Sequence, residues 1–553
     1  MNNTIRTWTA FLFIVIGFFM VLLDSTIVNI TLPVITQYYK TDMETVSWVV
    51  NAYNLAFAVF LMSASRIADQ FGRKKVFRIG ITLFTFFSLM SGLSHSIEML
   101  IFFRVLQGLS GALIVPVSMP LIIDLFPPSK SGMVIGLWGG VAGVAAASGP
   151  ALGGIISEFL NWQWIFYINI PIGIVCIILT TVLVKESFDP TASKRIDWAG
   201  MLLLSFAMFC VTLGLIQAND KGWGSAYILT LFALSVVSFI AFYFTEKTVR
   251  EPMLPILLFR NLNFSMTNIS LVFLGMGLMS GVFFMSFFLT RVMEMSQLRA
   301  GLIITALPLA AMVFSAVSGY FSDKYGSRWF AVAGSILLSY SLYLMSSLTA
   351  HSSLKEIIIK LVISGAATGI ALPPVVRASI RATPEDKLGI ASAVGNVFRT
   401  LGAILGVALL VTAVTHFSEI RINEARRDAA KMIMSSSVFV KEVKDTLAGS
   451  IVNAKFTKDS NLPTEEDVVC KFEDRKQKAL KSAPGMMKPM VEKMYDKQIK
   501  EISKIYPLIK DIFLSKIALA FSVTFKLAAA VLMLGVAVAF FSEPFSKRKK
   551  INK

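Results

Sequence analysis

An all-α integral membrane fold is the class the sequence predicts, and three observations lead to it. The chain is 55% hydrophobic and only 16% charged over 553 residues, with a mean hydropathy of +0.69 that ordinary soluble domains do not reach. Apolar runs of about 20 residues, the length a helix needs to cross a bilayer, recur through most of it. The short loops between them alternate sharply in basic content, the pattern that sets membrane orientation.

Taken in order, the runs predict fourteen crossing helices, over 8–31, 46–65, 77–95, 99–123, 132–157, 164–184, 198–217, 225–245, 265–290, 300–321, 329–349, 356–378, 389–414 and 517–541. The first is too long for a secretory signal and carries Asp24, so it reads as a retained span. An even number puts both termini on one side. With that side cytoplasmic, the inner loops hold Arg66, Arg73, Lys74, Lys75, Lys185, Lys194, Arg195, Arg328 and Arg377, while the short outer loops hold little beyond Lys40, Lys221, Arg291, Arg299, Lys355 and Lys360. Both ends are therefore expected inside a multi-pass cell-membrane protein. The net charge of +18 then reflects orientation, and no nucleic-acid partner is expected.

A weak internal repeat divides the helices. Asp69-Gln70-Phe71-Gly72-Arg73 follows the second run and Asp323-Lys324-Tyr325-Gly326-Ser327-Arg328 follows the tenth. Recurrence after the second helix of each half predicts duplicated six-helix bundles, 1–190 and 263–553, separated by two inserted helices and linkers in 191–262.

Six segments carry a resemblance to a known family. Ser65 to Lys75 resembles the cytoplasmic loop motif of the major facilitator superfamily, and Arg104-Val105-Leu106-Gln107-Gly108 its fourth-helix motif. Gly143 through Gly149-Pro150-Ala151-Leu152-Gly153-Gly154 resembles the antiporter motif of the fifth helix. The opening stretch Leu23 to Pro33, the segment Trp162 to Gly173 and Asp197-Trp198-Ala199-Gly200 are similar to the fourteen-helix drug:proton antiporters. The resemblance spans nearly the whole chain outside 416–510. It implies the major facilitator fold, no cofactor, no enzymatic activity, a site between the halves, and a protein working as a monomer.

The chemistry is expected from few residues. No P-loop occurs, so uphill transport must draw on an ion gradient. Asp24 is the acidic residue well inside an early span, and an intramembrane ionisable group is a functional-site candidate by default. It is the candidate for proton coupling and substrate response; a packing role, bonded to Thr26 or Asn29, is the alternative. Arg104 cannot lose its charge and must be paired or hydrated; the resemblance implies that it modulates a nearby acid, and snorkelling to the interface is the rival reading. Gln107, three residues on, shares its helical face. Asn29, Tyr53, Asn54, Gln107 and the deeply placed Lys526 are candidates for the cavity wall. Arg399 and Lys526 would suit an anionic or zwitterionic substrate, or simply pair with a helix end.

Gly143, Gly149, Gly153 and Gly154 permit close helix approach, and Pro150 a bend. Asp69, Gly72 and Arg73, with Asp323 and Arg328 in the second half, are read as latches on one state of an alternating cycle. The three cysteines and three histidines give neither a disulfide framework nor a metal site. Segment 416–510 is polar and outside by the crossing count. Its apolar residues at helical spacing from Met490 to Ile509, and the start signal Thr464 before Glu465-Glu466-Asp467, predict a helical hairpin or cap that gates, meets envelope lipid or binds an extracellular partner.

The sequence therefore predicts a proton-coupled antiporter exporting hydrophobic or amphipathic compounds. Export of a lipid or envelope precursor, and a scaffold with a partner-binding outer domain, are the rivals. An enzyme is disfavoured, because 416–510 lacks an evident nucleophile and base.

Overall fold

All fourteen predicted segments are helical in the computed structural model, which describes residues 3–543 except 42, 128–129, 189–196, 250–253, 255, 385–387, 437, 440–442, 446, 450–464, 483 and 485–486. The helices of the first half are α1 Asn3–Tyr39, α2 Met43–Phe71, α3 Arg73–Gly92, α4 Ile97–Ile123, α5 Ser131–Phe159, and a sixth run broken at Ile168 into α6 Trp164–Tyr167 and α7 Asn169–Leu183. The inserted pair is α8 Trp198–Lys221 and α9 Ala226–Thr248. The second half comprises α10 Leu262–Phe287, α11 Gln297–Ile304, α12 Ala306–Tyr325, α13 Arg328–Met345, α14 Leu354–Arg381 and α15 Leu388–Ser435, then α16 Glu465–Ser482 and α17 Lys488–Phe540.

Twelve helices among the described residues are long and apolar enough to cross a membrane. The predicted crossings outside that set are α5 and α13, the latter carrying Ser335, Ser339, Tyr340, Ser341 and Tyr343 within 18 residues.

The two largest apolar cores among the described residues divide between the halves. One gathers Ile14, Phe18, Phe77, Phe84 and Val115 of the first half; the other gathers Phe284, Phe288, Leu338, Leu361 and Phe525 of the second. The halves meet where α5 lies along α11 and α12, and where α2 and α4 touch α15. Of the inserted pair, α8 packs against α2 and α15 while α9 packs on α8, and Trp223 Nε1 donates to Thr412 Oγ1 at 2.8 Å. Helix α8 thus borders the junction of α2 with α15, and the junction on the other side is made by α5 with α11 and α12.

The segment 416–510 takes the hairpin form of that expectation, continuous with the helices before and after it. Helix α15 continues for 48 residues and α17 for 53, about 72 and 80 Å at 1.5 Å per residue, against a hydrocarbon core of about 30 Å. The last two crossings thus run out of the membrane as one antiparallel stalk. Lys516 ties it at 3.1 Å to Glu424 and 3.2 Å to Asp428. Helix α16 closes the top over a small core of Ile433, Phe439, Phe472, Ile502 and Ile505. Glu465 begins α16 as the start signal predicts, whereas Thr464 lies outside the described residues. Lys476 of α16 bonds Asp496 of α17 at 2.5 Å, and that hydrogen bond holds its ammonium above the usual lysine range.

Candidate functional site

Asp24, Arg104 and Gln107 come together in the first half, each with 0% exposure. Helix α1 carries Asp24 to a level where α4 presents Arg104 and Gln107 one turn apart, so both side chains leave α4 on one face. Arg104 Nη1 pairs with Asp24 Oδ2 and also donates to Gln107 Oε1 at 2.8 Å, while its Nε donates to the Val49 carbonyl at 2.9 Å. Gln107 Nε2 and Asn169 Nδ2 each donate to Asp24 Oδ1 at 3.0 Å. Tyr53 lies under the guanidinium, whose Cζ is 4.1 Å from the ring centroid, a cation–π contact strengthened by the dry surroundings.

Three donors thus converge on one buried carboxylate, and the guanidinium keeps other ligands besides it. That asymmetry suits a switch: taking away the charge on Asp24 leaves Arg104 held by Val49, Gln107 and Tyr53. Arg104 Nη2 and Asn169 Oδ1 are buried without a hydrogen-bond partner, so the network has unused polar capacity at its centre. The snorkelling alternative for Arg104 fails on burial. Tyr53 belongs to this network and does not line the cavity described below.

The glycine-rich face of α5 lies beside it. A Cβ at Gly149 would stand 2.0 Å from Thr26 Oγ1, two residues beyond Asp24, and one at Gly154 3.0 Å from Leu298 Cα across the seam. Gly143 faces the Pro308 carbonyl at 3.5 Å, and Gly153 is buried. Helix α5 therefore touches the ion pair's helix on one side and the second half on the other. The side chains of Pro150, Asn29 and Asp323 lie outside the described residues.

At the opposite membrane face, Arg73 Nε bonds Asp69 at 2.9 Å and its Nη1 bonds Asp124 at 3.1 Å. Gly72, at φ +107°, makes a turn disfavoured for residues with a Cβ, and the first amides of α3 then point at Glu186: Lys74 N donates at 2.8 Å and Lys75 N at 3.2 Å. The second half repeats this with Gly326 at φ +94°. There Ser327 N and Arg328 N donate to Glu543 Oε2 at 2.8 and 3.0 Å, and Arg328 Nη2 donates to the Glu543 carbonyl. Each carboxylate caps a helix N-terminus, where negative charge is favoured.

A cavity of about 50 Å³ lies between the halves, lined by Met119 and Trp138 of the first and by Ser315, Val376, Asn396 and Arg399 of the second, among others. It sits toward the face that carries the termini, whereas the Asp24 network and the Gly154–Leu298 contact lie toward the stalk. Such a volume holds one or two waters, far below the 300–1,000 Å³ of a drug-sized pocket. Lys526 is not part of its wall. Its side chain is exposed on the α17 stripe that also exposes Leu519 and Met533, because neighbours Phe525 and Thr524 take the inward positions. Asn54 is partly buried and also absent from the wall.

Four polar residues were not singled out from the sequence: Asn169, Asp124, Glu186 and Glu543. Asn169 was visible as a polar residue inside an apolar run. Glu186 and Glu543 each follow the last helix of a half, so extending the repeat to those ends finds them.

The Major Facilitator Superfamily model matches residues 14–294 and 267–422. The chain is 34% identical to the tetracenomycin C resistance and export protein of Streptomyces glaucescens, over 73% of this chain and 75% of that one. It is 29% identical to the probable multidrug resistance protein EmrY of Escherichia coli, over 73% and 80%. In fold it is similar to the human organic anion transporter MFSD10, with a TM-score of 0.54, 14% identity, and coverage of 74% of this chain and 93% of that one. The family match ends at residue 422, short of the outer end of the stalk.

Proposed function

The chain belongs to the major facilitator superfamily of membrane transporters, and from that premise we propose that it exports hydrophobic or amphipathic compounds across the cell membrane in exchange for protons. The observation that carries this reading is the buried Asp24–Arg104–Gln107–Asn169 network, with Thr26 against Gly149 of the helix that spans the seam. Relatives named for drug resistance and export support the direction and the substrate class.

Proton binding at Asp24 removes the charge that Arg104 pairs with and loosens α1 from α4. Helix α5 transmits that change, because its glycines touch α1 and the second half in one register. Asp69, Gly72, Arg73 and Arg328 serve as latches at the cytoplasmic face. The closed seam near the stalk and the small cavity near the termini describe an occluded form, from which the halves part to admit substrate. In this reading the chain crosses the membrane fourteen times with both termini cytoplasmic, and its bundles are 1–190 and 263–553 with 191–262 inserted. It works as a monomer, since one copy holds the complete network, and the stalk offers an extracellular partner or envelope lipid a surface.

The test is substrate-driven proton movement in proteoliposomes. Asp24→Asn is expected to abolish it while the purified protein still melts cooperatively. Unchanged coupling in that variant, or vesicles that move lipid and ignore drugs, sinks the proposal.

A further inference from the structure

The buried charges of the transmembrane region are not all balanced. Arg104 has Asp24, and Lys360 has Glu356 at 2.5 Å. Arg399, about eleven residues into α15, has no carboxylate against it among the described residues. Its guanidinium donates to Asn396 Oδ1 at 3.0 Å, and Asn396 Nδ2 is in turn held by the Ser392 carbonyl at 3.0 Å. The side chain is partly accessible, and the cavity it lines has no acidic residue on its wall among the described residues. The backbone there is closely packed: a Cβ at Gly275 of α10 would lie 2.1 Å from the Arg399 carbonyl, so α15 is pressed against α10 at this level.

A guanidinium in a low-dielectric cavity without a counterion is unfavourable unless something charged completes it. It also presents a fork of donors that matches a carboxylate, sulfonate or phosphate. The rest of the wall is mostly apolar, with Trp138 and Met119 from the first half and Leu372 and Val376 from the second, and its other polar side chains, Ser315, Ser379, Ser392 and Asn396, are neutral. A charged head against Arg399 and an apolar body between these side chains would touch both halves at once.

We propose that the transported compound is an amphipathic anion whose acidic group pairs with Arg399. This deepens the export reading above and rests on it for direction, though not for binding. The acidic group belongs either to a soluble organic anion or to a lipid headgroup, and the chemistry at Arg399 is the same for both.

The test uses one apolar body with three heads: pyrenebutyrate, pyrenebutanol and a pyrenebutyl-trimethylammonium salt, with a fluorescent short-chain phosphatidylglycerol as the lipid arm. Binding to purified full-length protein is read by fluorescence, and movement is read in proteoliposomes. Wild type is expected to favour pyrenebutyrate. Arg399→Met weakens its binding at least about thirtyfold, leaves pyrenebutanol unchanged and raises the melting temperature, because an unpaired charge has gone. Arg399→Lys keeps the anion preference. Tight binding of the lipid probe over pyrenebutyrate assigns the anion to a lipid. Preference for the cationic probe, indifference of pyrenebutyrate to Arg399→Met, or failure of that variant to fold overturns the inference. Antiport survives the first two of these results if proton-coupled movement persists. Arg399-dependent anion binding without coupled movement instead refutes antiport and leaves this inference standing.

Discussion

Asp24 and Arg104 stabilise each other only as a pair. Taking two charges out of water costs several kcal/mol each, and the Coulombic gain offsets this only where hydrogen bonds fill the remaining sites. Here Gln107, Asn169 and the Val49 carbonyl do so. Removing Arg104 strands the Asp24 carboxylate, so Arg104→Met is expected to lower stability by about 3–5 kcal/mol, seen as an early, broad melt in detergent. The double variant Asp24→Asn, Arg104→Gln should recover more than half of that loss while remaining uncoupled. A single variant that melts like wild type would show that the pair does not hold α1 to α4.

Among the elements, the entrances of α3 and α13 follow one design. In each a glycine at positive φ turns the chain and a carboxylate from the end of the same half receives two amide protons. Loss of a helix cap costs about 0.5–2 kcal/mol, so Glu186→Ala and Glu543→Ala should each destabilise by that amount. The two sites are distant and share no partner, so their effects should add in thermal melts of the double variant. The stalk is joined differently, through Lys476 and Asp496. The raised Lys476 group contributes fully below the ordinary lysine range and loses its contribution only as pH rises through its elevated folded value. Docking of α16, followed by fluorescence from a label at Cys470, which is exposed, should therefore not respond to this group between pH 5 and pH 9.

For the whole molecule, the decisive contact is the seam near the stalk. A Cβ at Gly154 would lie 3.5 Å from Leu298 Cβ, inside the 3.5–4.5 Å range that a disulfide needs. Gly154→Cys with Leu298→Cys, in a Cys470→Ser background, is expected to cross-link under mild oxidation and stop transport, and a reductant should restore it. Transport that continues with the bridge formed would mean that the halves do not part there.

Hydropathy by itself determined a helical membrane protein, because about 20 apolar residues admit no other solution in lipid. The loop repeat and the motif residues pointed to two related halves, and Asp24 was conspicuous because a charge inside an apolar run is costly wherever it lies. Tertiary structure decided the partners. An apolar run does not reveal its rotation about the helix axis, so nothing along the chain showed that Lys526 faces outward, that Tyr53 lies under Arg104, or that Arg399 reaches the cavity without a counterion. Asn169 stood out as a polar residue in an apolar run, but its bond to Asp24, 145 positions away, stayed hidden for the same reason. The stalk was legible as helix from its periodicity. Its continuity with the last two crossings was not, since polar composition marks where a helix leaves lipid and not where it ends.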